Sequence, residues 1–145
     1  MDLGIEGRRA VVAASSAGLG LAAARALAAE GVRVAISGRD PERLLAAEQA
    51  LRDGGADVVA VQADLATPEG AAAMVDEAVD RLGGVDILVP NAGGPPAGTF
   101  ATTSVDAYRE ALDLNLLSSI AMCQQAVPAM QAAGWGRVVA ITSIG

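Results

Sequence analysis

The stretch Ala10-Val11-Val12-Ala13-Ala14-Ser15-Ser16-Ala17-Gly18-Leu19-Gly20 decides how this chain is read. It opens as a short apolar run, passes through small residues only, and leads through two glycines into an alanine-rich segment at helical spacing. Small residues let backbone N–H groups approach a diphosphate at a helix N-terminus, where the dipole also favours negative charge. A plain tight strand-to-helix turn would carry the same residues, so the surrounding pattern has to decide.

Around this stretch, β-branched runs at Ala10–Ala14, Val32–Ser37, Val58–Gln62, Ile87–Val89 and Arg137–Thr142 alternate with helical segments at Leu19–Glu30, Pro41–Arg52, Pro68–Leu82 and Val105 to Ala132. The runs are mostly apolar and bounded by Gly, Pro or Asp, as strands buried on both faces are. Asp40-Pro41 and Thr67-Pro68 each set a capping oxygen before a proline at the first helical position. Gly31, Gly54-Gly55, Gly83-Gly84 and Gly134 fall just past predicted helix ends, where a left-handed residue costs least. The order β-α-β-α-β-α-β-α-β predicts one α/β domain over residues 1–145, a doubly wound parallel sheet with right-handed crossovers. The small-residue turn then falls in the first βα connection, where a dinucleotide fingerprint belongs.

Composition removes other chemistries. The 10 basic residues are all arginine, against 17 acidic ones, for a formal charge of −7; lysine and histidine are absent, and Phe100, Tyr108, Cys123 and Trp135 are each the only one of their kind. Ser-His-Asp triads, Schiff-base lysines, the Walker lysine and histidine-ligated zinc are therefore excluded, and no metal site is expected. One cysteine cannot close an intrachain disulfide. An acidic surface with few aromatics argues against a nucleic-acid partner. The N-terminus, Met1-Asp2-Leu3-Gly4-Ile5-Glu6, is acidic where a signal peptide is basic, and no uncharged apolar run approaches the roughly 18 residues of a spanning helix. A cytoplasmic chain without a membrane partner is the expectation.

The landmarks together resemble the short-chain dehydrogenase/reductase family. Residues 13–20 align with its Thr-Gly-x-x-x-Gly-x-Gly loop, keeping Gly18 and Gly20, while Ala13 and Ala14 replace the Thr and the first Gly. Asp64-Leu65 follows the third strand, Asn91-Ala92-Gly93 the fourth, Asn115 lies in Leu-Asn-Leu on the long helical stretch, and Thr142-Ser143 closes the fifth strand. The resemblance implies a Rossmann-type sheet of order 3-2-1-4-5 with the cofactor at the switch between strands one and four. It further implies that backbone around Ser15, Ser16, Gly18 and Leu19, with Gly20 in the same loop, contacts a diphosphate. Asp64 would bond the adenine amino group, with Leu65 against the ring. Asn91 would support the central strand and, with Ala92 and Gly93, line the ribose channel. Asn115 would join a proton relay, and Ser143 would bond the carbonyl oxygen of a small-molecule substrate, opposing the developing charge. Each has a plainer alternative: Asp64 as a turn cap, Asn91 as a turn residue, Asn115 as a solvated helix residue, Ser143 as a loop serine. Tyr108 reads as a helix packing residue.

Dinucleotide loops for NAD(H) carry an acid about 20 residues beyond the glycines, on the ribose hydroxyls. Here the second strand ends Ser37-Gly38-Arg39, with no acid before Asp40, itself explained as the cap before Pro41. Arg39 suits a 2′-phosphate through its planar fork, and Ser37 would add a hydroxyl donor, so NADP(H) is expected over NAD(H). The family's Tyr-x-x-x-Lys motif has no counterpart in a chain without lysine, so the 145 residues are expected to hold the cofactor-binding part of a carbonyl reductase and to be inactive alone, with 3-oxoacyl thioester reductases the closest-looking relatives. The chain ends at Gly145 directly after the last strand, so that sheet edge is expected to meet a partner chain or to continue in further sequence. Leu112, Leu116, Ile120, Cys123, Val127 and Met130 recur at three- and four-residue steps, which suits either a homo-oligomer contact through the 105–132 helix or intrachain core. A non-catalytic dinucleotide-binding or partner-binding chain is the competing reading. A nucleotide-fold methyltransferase would need the missing acid at the second strand's end.

Overall fold

The computed structural model describes residues 1–94 and 96–142. Five parallel strands, β1 (Arg9–Val12), β2 (Arg33–Gly38), β3 (Val58–Gln62), β4 (Ile87–Val89) and β5 (Arg137–Val138), form one sheet in the order β3-β2-β1-β4-β5. Between them run α1 (Gly18–Ala29), α2 (Pro41–Asp53), α3 (Pro68–Leu82), α4 (Val105–Leu112) and α5 (Ser118–Ala132).

The alternation of side chains along each strand builds two cores. Val11, Ala35, Val61 and Leu88 face α3 and α5, against Met74, Val75, Ala78, Met122 and Ala126. Ala10, Val12, Val34, Ile36, Ile87 and Val89 face the other way, against Ala24 of α1 and Leu44, Ala47 and Leu51 of α2. Both faces of β1 are fully buried, which is why its sequence lacks polar alternation. The helix starts follow the expected chemistry. The Asp40 carboxylate accepts from the N–H groups of Glu42 and Arg43, and the Thr67 hydroxyl from that of Gly70. After α2 the left-handed position falls on Gly55, φ 87°, while Gly54 stays at φ −78°.

Two elements depart from expectation. β5 is two residues long instead of Arg137–Thr142. Its neighbour β4 stops at Pro90, which has no N–H to offer, so the ladder fades although Val139 and Ile141 still donate to the carbonyls of Leu88 and Pro90. The stretch from Val105 to Ala132 is broken by a π turn at Asp113–Leu117. There the side chains of Asn115, Ser118 and Ser119 each donate to the carbonyl four residues back, those of Ala111, Leu114 and Asn115, drawing these acceptors out of the regular ladder.

The amino ends of β1 and β4 are clamped by charge. Asp86, 5% exposed, accepts from the Arg9 backbone N–H at 2.9 Å and from its guanidinium at 2.8 and 3.0 Å. These bonds hold the Asp86 carboxyl below the usual carboxylate range. Beside them the guanidiniums of Arg8 and Arg137 lie over the Trp135 ring, 4.0 and 4.7 Å from its centroid. Among the described residues no helix is long and apolar enough to cross a membrane.

Candidate functional site

At the opposite end of the sheet, β1 runs into the loop of residues 13–17. The chain turns sharply at Ala14, whose φ of +46° lies in the left-handed region. Bonds from distant segments hold that turn. The Ala14 N–H donates to Ser37 Oγ at 3.0 Å, the Ser15 N–H to the Ser37 carbonyl at 2.8 Å, and Asn91 Nδ2 to the carbonyls of Ala13 and Ala14 at 3.3 and 3.2 Å. Ser15 Oγ closes the knot, donating to the Val12 carbonyl and accepting the Ser37 N–H. Gly20 makes the closeness possible: a Cβ there would meet Asn91 Nδ2 and Ser15 Cα at 2.9 Å.

Beyond Ser15 the loop's donors change character. Among the described residues, the N–H groups of Ser16, Ala17, Gly18, Leu19 and Gly20 have no acceptor, and Ala17, the N-cap of α1, supplies no capping side chain. Unsatisfied donors at a helix start, with no acid in the first turn, form a ready anion cradle. Those of Ser16 to Leu19 belong to the wall of a cavity of about 730 Å³, lined further by Ala14, by Gly38, Arg39, Asp40 and Arg43, by Ala63 to Ala66, and by Asn91 to Gly94 with Pro96 and Leu114. Arg39 and Arg43 are exposed and make no ion pair among the described residues, unlike Arg9, Arg33, Arg52, Arg81 and Arg109. The Arg43 N–H, above all, holds the Asp40 carboxyl below its ordinary range, with Glu42 N–H and the Arg43 charge adding to it.

Ser16, Gly18, Leu19, Arg39, Asp64, Leu65, Asn91, Ala92 and Gly93 therefore share one cavity wall. Asp64 is exposed there, and its Oδ1 also accepts from the Ala66 N–H, so the turn cap and the wall position coexist. Two expected contacts need correction. Ser37 is fully buried, with its hydroxyl facing the Ala14 N–H, so it props the loop from beneath and cannot reach a phosphate in the cavity. The Ser15 N–H is spent on the Ser37 carbonyl, so the free donors begin one residue later, at Ser16. Gly20 lies under the loop and off the wall. Asn115 also stands off the wall, on the π turn beside Leu114. Ser143 falls outside the described residues. Arg43 was missed by the sequence reading, although its place in the first turn of α2, four residues beyond Arg39, was a usable signal.

The stripe on the 105–132 segment divides. Leu112, Leu116 and Ile120 are exposed, Cys123 and Val127 half-buried, and Met130 is core. Leu116, Ile120, Cys123 and Val127, together with Pro90 and Val138, line a shallow apolar groove of about 530 Å³. Partial burial raises the Cys123 thiol above its ordinary pKa.

Residues 8–145 match the family model described as short chain dehydrogenase. The chain is 31% identical over 140 residues to the ketoacyl reductase HetN of Nostoc sp., covering 97% of this chain and 49% of that one. Among solved structures, L-sorbose reductase of Gluconobacter frateurii, complexed with NADPH and L-sorbose, superposes with a TM-score of 0.92 at 36% identity, over 99% of this chain and 55% of that one. A 7α-hydroxysteroid dehydrogenase complexed with NADH superposes with a TM-score of 0.90 at 29% identity, over 97% and 55% of the two chains. This chain spans about half the length of each of these relatives.

Proposed function

Because the chain belongs to the short chain dehydrogenase family, a family of oxidoreductases, we propose that its cavity binds a nicotinamide dinucleotide, NADP(H) in preference to NAD(H). In this reading it is the cofactor-binding part of a carbonyl reductase acting on a small-molecule carbonyl/alcohol pair. The observation that carries the proposal is the run of acceptor-free N–H groups from Ser16 to Leu19 opening onto the arginine-lined cavity. A dinucleotide fits these residues: the donors suit a diphosphate, Leu65 offers an apolar wall to an adenine, and Arg39 suits a 2′-phosphate. The NADPH complex of L-sorbose reductase supports the phosphorylated cofactor, and the NADH complex of the hydroxysteroid dehydrogenase makes the choice one for Arg39 to decide.

Bound, the cofactor supplies or accepts a hydride at its nicotinamide ring. The chain's own residues bind and orient it. Asn91 holds the first loop through the carbonyls of Ala13 and Ala14, Asp64 would accept from the adenine amino group, and Ala92 and Gly93 would line the ribose channel. Ser143 would bond the carbonyl oxygen of the substrate and Asn115 would serve the proton relay. The 145 residues contain no lysine, and their one tyrosine, Tyr108, sits exposed on α4, so a Tyr-x-x-x-Lys proton donor is not among them. Cofactor binding without turnover is the activity these residues support by themselves. The exposed face of Leu112, Leu116 and Ile120 serves as a contact between copies of the chain.

The test is titration of NADPH and NADH, read by their own fluorescence, against the chain and Arg39→Ala. Loss of about tenfold or more in NADPH affinity, with NADH nearly unchanged, is expected. Equal losses for both cofactors refute the preference, and no binding of either refutes the site.

A further inference from the structure

We infer that Arg43 is a second specificity-determining residue, reading the 2′-phosphate of the dinucleotide together with Arg39. The inference rests on the proposed cofactor and deepens it. A charge count at the cavity wall motivates it. Arg39 is followed directly by Asp40, which lines the same wall, so a phosphate approaching that pair alone meets no net positive charge. A phosphate monoester near its dianionic form then gains little from one guanidinium standing beside one carboxylate. Arg43, also on that wall, brings the cluster at the end of β2 to two arginines against one carboxylate.

The first turn of α2 sets this up. Asp40 Oδ1 accepts the N–H groups of Glu42 and Arg43, both at 3.0 Å, which caps the helix start and fixes the backbone from which Arg43 projects. Neither arginine has a carboxylate partner among the described residues, so both guanidiniums keep their donors for a ligand. Gly38, packed under Ser16, keeps the floor between the first loop and the strand end low: a Cβ there would meet the Ser16 side chain at 2.9 Å. The other carboxylate on the wall, Asp64, stands beyond β3 and is engaged by the Ala66 N–H.

Binding of NADPH, NADH and adenosine 2′,5′-bisphosphate to the full chain, Arg39→Ala, Arg43→Ala and Arg43→Gln tests this. The bisphosphate reads the adenosine end without the nicotinamide. Arg43→Ala and Arg43→Gln are expected to weaken NADPH and the bisphosphate by about 10- to 100-fold while NADH changes less than about twofold. If Arg39→Ala weakens NADPH and the Arg43 variants do not, this inference falls and the cofactor reading stands. If none of the variants acts selectively on the phosphorylated ligands, the cofactor preference falls and takes this inference with it. Equal losses for NADH and NADPH in both Arg43 variants assign Arg43 a role in holding the helix start, which also overturns the inference.

Discussion

Ala14 occupies a backbone conformation that glycine would take without strain, and a left-handed alanine costs about 1–2 kcal/mol. Ala14→Gly relieves that strain and adds about 0.5–1 kcal/mol of unfolded-chain entropy, so a net stabilisation of up to about 1 kcal/mol is expected from urea midpoints. Asp86 gives the opposite kind of prediction. Its carboxyl is depressed by the Arg9 hydrogen bonds, so its contribution is present above the unfolded carboxylate value of about 3.9 and is lost as pH falls through the lower folded value. Asp86→Asn is expected to cost about 1–3 kcal/mol near neutral pH and to flatten the acid limb of a urea-midpoint-versus-pH series. An unchanged acid limb counts against the assignment. At this scale the sequence was legible where chemistry is local, as in the Asp40 cap before Pro41. It misled at Ser37, where β2 is covered on both faces: Val34, Ala35, Ile36 and Ser37 are all buried whichever way they point, and the polarity of a hydroxyl does not change that.

α5 presents two faces of unequal worth. Met122 and Ala126 are fully buried against α3, whereas Ile120, two residues before Met122, is 44% exposed. Met122→Ala is expected to cost about 2–5 kcal/mol in chemical unfolding, and Ile120→Ala no more than about 0.5 kcal/mol. Similar losses at both positions would mean that something else covers Ile120. The strands and the helix starts could be read from periodicity, proline and capping residues. The short β5 and the π turn could not. The first follows from a proline in the neighbouring strand, the second from Asn115, Ser118 and Ser119 drawing carbonyls four residues back. One turns on a missing donor and the other on side chains competing for carbonyls, and hydrophobic spacing encodes neither.

For the molecule as a whole, the alternation of strands and helices made the parallel α/β sheet legible, and the order β3-β2-β1-β4-β5 is the one the family resemblance implied. The uncovered face of Leu112, Leu116 and Ile120 has a consequence in solution. Sedimentation is expected to show self-association, and Leu116→Glu with Ile120→Glu to abolish it while leaving NADPH affinity within about twofold, since the two sites lie on different walls. Association unaffected by those changes would move the contact elsewhere. The cradle also joins segments that are made at different times. The loop at Ala14 is completed by an asparagine 77 positions later, so a growing chain leaves the ribosome with this turn long before the side chain that holds it in shape. On the proposed reading, a nascent chain gains stabilisation from cofactor only after Asn91 has emerged, and the earlier stages rest on the chain's own packing.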